Sequence, residues 1–236
     1  MKQKTMTLIA LTTLAVLVGS CNWSIERNFK GSKWPKITKT LQNPMPFERI
    51  RVDTYCIVYY TQGETTTVKV VVSDPDIMSK TNVTSEGGWL NIRSKSRSNW
   101  RKKKWVSVYV TSPDLIEVDM HGAGSFKVEG NLDTDTLRLR LKGAGDMDFE
   151  NIVCDRLDAH LEGVGDMDFD RLQTQQASLS LKGVGDIDAH FVNSGSVVCT
   201  LNGVGEIDLS GEVKSLQKRK QGTGKIDVSD LKISNP

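Results

Sequence analysis

Apolar and polar residues alternate on both sides of a series of glycine-containing turns in the second half of the chain. The first glycines of successive turns are 21, 20, 20, 20 and 19 residues apart. A fixed period between about 20 and 50 residues is typical of stacked structural repeats. The turns are, in order, Gly122-Ala-Gly124, Gly143-Ala-Gly145, Gly163-Val-Gly165, Gly183-Val-Gly185, Gly203-Val-Gly205 and Gly222-Thr-Gly224.

Each repeat places its apolar residues at the same distances from its turn. The strand before the turn carries three of them, as in Leu137, Leu139 and Leu141, and the strand after it carries two, as in Met147 and Phe149. Alternation of this kind predicts two short strands per repeat, each with one buried face. One further apolar position defines a third short side, and we assign it to Leu132, Ile152, Leu172, Val192 and Val213.

Repeats of this design can bury their apolar positions only by stacking like on like, about 4.8 Å apart. The sequence therefore predicts an all-β fold, a single-stranded β-solenoid similar to a β-helix, with coils of about 20 residues and additional β-strands in front of it. An up-and-down antiparallel meander is the alternative, and it would have less regular corners and no like-on-like columns. No window of the chain has a sustained helical period.

The remaining segments divide the chain into four parts. Residues 1–20 have a basic start followed by an apolar run, which predicts a signal peptide, and Val18-Gly19-Ser20-Cys21 resembles a lipobox that would make Cys21 a lipidation site. An ordinary signal peptide with a chance cysteine is the alternative. We expect residues 21–46 to form a tether, residues 47–114 an N-terminal β-strand region, and residues 115–231 the solenoid with a polar C-terminal cap. Within the second region, Arg49 to Tyr60 has strand character and Asp74-Pro75-Asp76 predicts a break.

Charge is distributed unevenly along the chain. Residues 21–121 carry 16 basic and 10 acidic residues, whereas residues 122–211 carry 7 basic and 16 acidic residues. This distribution, with a basic N-terminal segment and an acidic repeat segment, argues against a nucleic-acid-binding protein, which would need one broad positive face. A basic segment, Arg93 to Lys104, lies between the predicted strands Trp89 to Ile92 and Trp105 to Val110. It is either a solvated loop or a contact for anionic surfaces. The candidate contact residues are Arg97, Arg101, Lys102, Lys103 and Lys104.

The strand after each glycine turn presents acidic residues outward in two ladders. These carboxylates could accept hydrogen bonds from backbone N–H groups at the turns, or they could bind a ligand or cations such as Ca²⁺, the one cofactor that we consider. Every coil carries the same acidic pair, and neither histidines nor cysteines occur at metal-ligand spacing, so we expect no catalytic residues. The first ladder is Asp146, Asp166, Asp186 and Glu206, and the second is Asp148, Asp168, Asp188 and Asp208.

With these features the chain resembles the bacterial family called putative auto-transporter adhesin, head GIN domain. The motifs that carry the resemblance are Phe47-Glu-Arg-Ile50, Trp89-Leu-Asn-Ile92, Ser112-Pro-Asp-Leu115 and the serial Gly-Ala-Gly-Asp and Gly-Val-Gly-Asp turns. The resemblance spans roughly Phe47 to Asp227. It implies a solenoid-like, all-β domain in lipoproteins and secreted proteins, many of them from Bacteroidetes, with no established activity.

Taken together, these patterns predict a non-enzymatic, lipid-anchored protein of the cell envelope that presents a β-solenoid as an adhesin-like binding module. Its expected partners are the membrane, through the anchor, and a glycan or another cell-surface or envelope protein. A polysaccharide-acting β-helix enzyme and a passive, self-associating envelope scaffold are the alternatives. The outer membrane is the expected location, and the side of it that the domain faces is left open.

Overall fold

The computed structural model describes residues 22–28, 36–95 and 105–234, and it is 77% strand and 3% helix. The elements in chain order are β1 (Asn22–Asn28), β2 (Lys36–Gln42), β3 (Phe47–Asp53), β4 (Tyr55–Gln62), β5 (Thr67–Val72), α1 (Pro75–Lys80), β6 (Thr81–Glu86), β7 (Gly88–Ser94), β8 (Val106–Ser112), β9 (Glu117–Met120), β10 (Ala123–Leu141), β11 (Ala144–Leu161), β12 (Met167–Leu181), β13 (Ile187–Leu201), β14 (Val204–Lys220), β15 (Thr223–Asp227) and β16 (Leu231–Ile233).

The second half of the chain is a β-solenoid of about six turns, each of about 20 residues. Strands β10 to β15 pair in parallel with their neighbours in chain order, and equivalent residues lie opposite one another. Met147 pairs with Met167, and Met167 pairs with Ile187. The prediction of a β-solenoid is confirmed, and the antiparallel meander is excluded for these strands.

The predicted apolar columns fill the interior of the coils. Leu137, Leu157 and Leu181 are fully buried, and the rings of Phe149 and Phe169 stack at 5.4 Å between centroids. Two assignments were wrong: Phe191, not Val192, pairs with Leu172 on the third side of its coil, and Val213, although buried, pairs with Ser194 and not with Phe191. Phe191 is 1% exposed, because β13 is one residue shorter than β12 at this bend.

The glycine turns form the corners at which each coil stacks closely on the coil before it. Gly165 has a φ of +135°, and a Cβ on this residue would lie 1.9 Å from the carbonyl oxygen of Gly145. An L-residue would therefore meet both an unfavourable backbone conformation and a direct overlap with the neighbouring coil. The corner glycines serve the geometry of the stack.

The N-terminal strands belong to the same sheet as the repeats. The predicted strand from Arg49 to Tyr60 is interrupted at Thr54, so that β3 pairs in parallel with β9 and β4 pairs in parallel with β10. On the other side, β7 pairs with β3 and β8 pairs with β4, also in parallel. Strands β1, β2, β5 and β6 add antiparallel pairs at this end of the stack.

The one helix among the described residues was not expected from the sequence. Helix α1 occupies Pro75–Lys80, so it begins in the Asp74-Pro75-Asp76 stretch that we interpreted as a break and continues beyond it. The Asp74 side chain accepts a hydrogen bond from the Asp76 N–H at 2.8 Å, and Pro75 stands at the helix start, where its missing N–H costs nothing. Ile77 and Met78 anchor the helix in the core.

Candidate functional site

The second acidic ladder lies on the strand segments that follow the glycine corners. Asp148, Asp168, Asp188 and Asp208 come from β11, β12, β13 and β14, and each pairs in register with the next. Their side chains are partly or fully exposed, because the alternation that buries Met147 and Phe149 turns the residue between them outward. The structure therefore brings this predicted set together in one line along the solenoid.

Lysines neutralise Asp148 at one end of this ladder and Asp227, which pairs in register with Asp208, beyond its other end. Lys127 of β10 pairs with Asp148 and makes an ion pair with it. Lys225 of β15 makes ion pairs with Asp227 and, at 3.7 Å, with Glu206. No basic side chain in the described ranges lies within ion-pair distance of Asp168, whose local field is set by other carboxylates.

Burial and like charge act together on the two central carboxylates. Desolvation, followed by the charges of Asp188 and Asp148, raises the pKa of Asp168 to about 6. The pKa of Asp188 is also raised, first by desolvation and then by the charge of Asp208. A positively charged ligand group at Asp168 and Asp188 would relieve the repulsion between neighbouring carboxylates. The centre of the ladder is therefore the most favourable position for such a ligand.

A shallow groove of about 620 Å³ follows the same ladder. His190 and Ser210, which pair in register on adjacent strands, lie side by side in it with 3.0 Å between Nδ1 and Oγ. Part of the wall is already engaged, because Glu150 accepts a hydrogen bond from the Gly130 N–H at 2.6 Å. We call this feature the acidic groove, and its carboxylate residues are Asp148, Glu150, Asp168, Asp170, Asp188, Asp208 and Asp230.

The first acidic ladder is used, in its central part, to satisfy the backbone. Asp166 Oδ1 accepts a hydrogen bond from the Asp186 N–H at 2.9 Å, and Asp186 Oδ1 accepts one from the Glu206 N–H at 2.6 Å. Each of these carboxylates therefore caps the same position of the next coil, where regular strand pairing is interrupted by the corner. Two of the four residues thus have a structural role in joining coils, and Asp146 lies at the equivalent position of the preceding coil.

An exposed apolar row borders the first ladder. Val164, Val184 and Val204 occupy the middle position of three glycine corners, and they are 57%, 50% and 52% exposed. They lie one above another, because each pairs with the next in an isolated parallel bridge. From the sequence we expected only turn residues at these positions, although their identity in three consecutive turns was visible.

The residues that continue the second ladder beyond Asp148 were not predicted from the sequence. Lys127 pairs in register with Tyr59, and Tyr59 pairs with Tyr109. The two tyrosine rings stack with 5.0 Å between centroids and an interplanar angle of 11°. The column of outward residues that contains the second ladder thus begins with two aromatic residues, continues with a lysine and ends with the aspartates. This order depends on how β4 and β8 pair with the repeats, which the sequence does not show.

No metal centre is preformed in the described part of the chain. Among residues 22–28, 36–95 and 105–234, no group of three or more His, Cys, Asp and Glu side chains has an arrangement that could hold a metal ion. The carboxylates are spaced one per coil in each ladder. Binding of Ca²⁺ would therefore need oxygen atoms from a bound ligand in addition to the ladder carboxylates. It stays a prediction.

The three described cysteines are free, buried and poorly suited to nucleophilic chemistry. Burial raises the pKa of Cys56 to about 12 and that of Cys199 to about 11. The pKa of Cys154 is raised by burial as well, with a smaller opposing effect from its hydrogen bond to Thr174. Thiols of this kind are inert at neutral pH, because the thiolate is the reactive form.

Several predicted sites fall outside the described residues. The lipidation site Cys21 and the signal peptide lie outside them, and so do the candidate anionic-surface contacts Arg97, Arg101, Lys102, Lys103 and Lys104. In the described ranges, no helix is long and apolar enough to cross a membrane.

The fold and the exposed ladders together define a β-solenoid module with a regular outer face. The family model described as putative auto-transporter adhesin, head GIN domain, matches residues 46–170 and 163–236. The chain belongs to this family. Membership fits an adhesin-like module of the cell envelope or cell surface.

Solved structures from Bacteroidetes share this architecture. A putative adhesin from Bacteroides fragilis superposes with a TM-score of 0.67 at 26% identity, covering 83% of this chain and 97% of its own. A putative adhesin from Parabacteroides distasonis gives a TM-score of 0.51 at 16% identity, covering 82% of this chain and 95% of its own, and this likeness concerns the fold alone. None of the curated proteins matches the chain.

Proposed function

We propose that this chain is a non-enzymatic, lipid-anchored adhesin-like module of the cell envelope that contacts its ligand through the acidic groove. The observation that carries the proposal is the position of Asp168 and Asp188, which lie side by side at the centre of the groove with raised pKa values. Neighbouring like charges about 4.8 Å apart repel by about 1 kcal/mol or more per neighbour. A cationic ligand, or a glycan bridged by Ca²⁺, would remove this cost.

Binding rather than catalysis is supported by the uniformity of the groove. Hydrolysis of a glycosidic bond requires two carboxyl groups with different roles, one protonated and one ionised, at a defined separation across the bond. Here the carboxylates repeat once per coil, and the buried thiols offer no nucleophile. A regular row of equivalent groups suits a ligand that is held at several points.

The proposed anchor is the acyl-modified Cys21, and the proposed location is the outer membrane. The lipobox-like Val18-Gly19-Ser20-Cys21 supports lipidation, and acyl chains attach a protein without a spanning helix. The basic residues Arg97, Arg101 and Lys102 to Lys104 would strengthen attachment to an anionic surface, at about 1 kcal/mol for each residue near it.

The test is ligand binding by the full chain in detergent, on an array of neutral and charged glycans and cationic polymers, with Ca²⁺ present or chelated. We expect the double variant Asp168→Asn/Asp188→Asn to lose binding at least tenfold. Glu64→Gln/Glu86→Gln is the matched control, since it removes the same charge from exposed positions far along the sequence from the groove. Equal binding by both variants would contradict the proposed site.

Two further measurements separate the proposal from its alternatives. Protease treatment of intact cells should cleave the protein if it acts as a surface adhesin, and complete protection would contradict that role. Turnover of a polysaccharide that is lost in the Asp168→Asn/Asp188→Asn variant would show an enzyme instead. Absence of binding to every ligand and to cells, with concentration-dependent self-association, would favour the scaffold.

A further inference from the structure

A second groove lies where the third side of each coil turns into the strand before the glycine corner. It has a volume of about 570 Å³, and its lining comes from five successive strands, β10 to β14. It shares no lining residue with the acidic groove. We call it the amide groove, and its exposed polar residues include Asp133, Asp135, Asp155, Gln173, Gln175 and Asn193.

A column of small polar residues is buried beneath this groove, and one member has no partner. Thr134 is 7% exposed, it lines the groove, and its Oγ1 makes no hydrogen bond among the described residues. The equivalent residues of later coils are satisfied: Thr174 Oγ1 donates to the Gln176 carbonyl at 3.1 Å, and Ser194 Oγ donates to the Leu172 carbonyl at 3.0 Å. A buried hydroxyl without a partner is rare and costs free energy, which a ligand hydroxyl or amide would recover.

The strand ladder opens at the centre of the groove. Pairing between β12 and β13 is interrupted between Leu172 and Gln176, and the Thr174 N–H donates to Ser194 Oγ at 3.1 Å. Asn193 adopts a left-handed backbone conformation with φ of +45°. Non-glycine residues in this conformation cluster at functional sites, and the bulge turns the Asn193 side chain to the exposed surface.

The chemistry of the lining points to one class of ligand. The carboxylates of β10 and β11 are followed along the groove by the amides of β12 and β13. Where the two groups meet, Gln175 Nε2 donates to Asp155 Oδ1 at 2.5 Å. An anionic ligand would meet three carboxylates, those of Asp133, Asp135 and Asp155, against the single lysine of the lining, Lys214. An apolar ligand would find only Val153 and the buried Cys154. A hydroxyl group can donate and accept at once, which fits such a mixed row.

The shape of the groove favours an extended polymer of such groups over a peptide. Five coils at about 4.8 Å per step give a row roughly 20 Å long. The strands run across this row, so the groove offers no continuous strand edge along which an extended peptide could add by backbone hydrogen bonds.

We propose that the amide groove binds a linear, uncharged glycan, with Thr134 Oγ1, Gln175 and Asn193 contacting its hydroxyl groups. This inference rests on the proposed adhesin function, and it assigns the neutral glycan to a surface other than the acidic groove.

The test uses the full chain in detergent and four immobilised probes: linear hexasaccharides of glucose, mannose and N-acetylglucosamine, and a hexamer of galacturonic acid. Ca²⁺ is chelated, so that no cation can bridge an acidic glycan to the acidic groove. Under this condition we expect at least one neutral probe to bind and the acidic hexamer not to bind. Gln175→Ala/Asn193→Gly should weaken binding of the neutral probe at least tenfold, since glycine accepts the backbone of position 193. Gln217→Ala, an exposed amide on the last coil, should leave it unchanged.

Thr134→Val supplies a readout that a purely structural role would not give. This substitution removes the unpaired hydroxyl at constant shape, so we expect a higher thermal midpoint together with at least threefold weaker glycan binding. Unchanged binding in Thr134→Val and in Gln175→Ala/Asn193→Gly would overturn the groove assignment. Binding of cationic ligands or whole cells without any neutral glycan would also overturn it while leaving the adhesin function standing. Absence of all binding would overturn both.

Discussion

The side-chain amide of Gln62 is paired with the backbone of Asp133 by two hydrogen bonds. Its Oε1 accepts from the Asp133 N–H at 2.8 Å, and its Nε2 donates to the Asp133 carbonyl at 2.8 Å. Nε2 also donates to the Pro113 carbonyl at 2.9 Å. A peptide group of a neighbouring strand would make such bonds. The coil formed by β3 and β4 has no third side, because β4 ends at Gln62 and the chain continues to β5. The Gln62 side chain therefore makes the hydrogen bonds to Asp133 that the backbone of a third side would otherwise make.

Replacing this amide should destabilise the junction between the N-terminal strands and the repeats. We expect Gln62→Ala to lower the free energy of unfolding by about 1–3 kcal/mol, because the N–H of Asp133 and two carbonyls lose their partner. Urea denaturation followed by circular dichroism measures this change. Gln217→Ala, which removes an exposed amide from the last coil, should stay within about 0.5 kcal/mol of the parent chain.

The raised pKa of Asp168 predicts the direction in which pH changes stability. The folded-state value of about 6 exceeds the ordinary value of 3.8, so the folded chain binds more protons than the unfolded chain between these limits. The contribution of Asp168 to stability therefore improves as the pH falls from 7 through 6, and it levels off below about 4. We expect Asp168→Asn to raise the free energy of unfolding by about 1 kcal/mol at pH 7.5, a value reduced for solvent screening, and not to change it at pH 4.

Asp227→Asn provides the opposite control for this pH experiment. The neighbouring Lys225 and the Ser229 N–H hold the pKa of Asp227 well below its usual range. This substitution should therefore lower stability at pH 7.5, and part of its effect should disappear as the carboxyl is protonated in strong acid. Both variants are measured by urea denaturation at the two pH values. A destabilising effect of Asp168→Asn at pH 7.5 would contradict the raised pKa of Asp168, which burial and then the neighbouring carboxylates cause.

The corner glycines should tolerate substitution far less well than a glycine in open space. A Cβ at Gly165 would overlap the Gly145 carbonyl oxygen at 1.9 Å in addition to the φ of +135°, so we expect Gly165→Ala to cost about 3 kcal/mol or more. Gly130 has φ of +81°, and no atom lies within 4 Å of the position that an alanine methyl group would take there. Gly130→Ala should therefore cost only about 1–2 kcal/mol from its backbone conformation.

Thermal unfolding of these two variants under the same conditions ranks the two costs directly. An equal loss of stability at both positions would mean that backbone conformation alone, and not close stacking of coils, explains the glycine pattern. The soluble fraction after expression should follow the same order, because a weakened corner exposes apolar columns between adjacent coils.

The sequence predicted the solenoid because its strongest columns repeat with a constant period. It did not reveal that β3 and β4 stack on the repeats, because Thr54 occupies their corner where later coils have glycine. It also misplaced Val192, since Leu172 and Phe191 are 19 residues apart whereas Gln176 and Ser196 are 20 apart. Two compensating offsets within one coil leave its total length unchanged, so spacing alone cannot locate them.

The two candidate sites could be predicted from the sequence to different extents, because only one of them follows the constant period of the repeat. The ladder from Asp148 to Asp208 follows directly from the period, and the structure places it in register. The amide groove depends on the bulge at Asn193, which accompanies the burial of Phe191 two residues earlier and follows no sequence motif. A signal for it existed nonetheless in the inward column of Thr134, Cys154, Thr174 and Ser194, where small polar residues recur every 20 positions.

Thiol titration tests both the buried core and the proposed lipid anchor. The chain contains four cysteines, of which Cys56, Cys154 and Cys199 are buried with raised pKa values. In the native chain at pH 8 we expect none of these three to react quickly with a disulfide reagent, because the thiolate is scarce and shielded. In denaturant, all three should react.

The same titration tests the lipid anchor. If Cys21 carries the proposed acyl modification, the number of thiols that react in denaturant is three for the envelope protein and four for a chain expressed without processing. A count of four for the protein extracted from membranes would contradict lipidation at Cys21, and rapid native reactivity of Cys199 would contradict its place in the core.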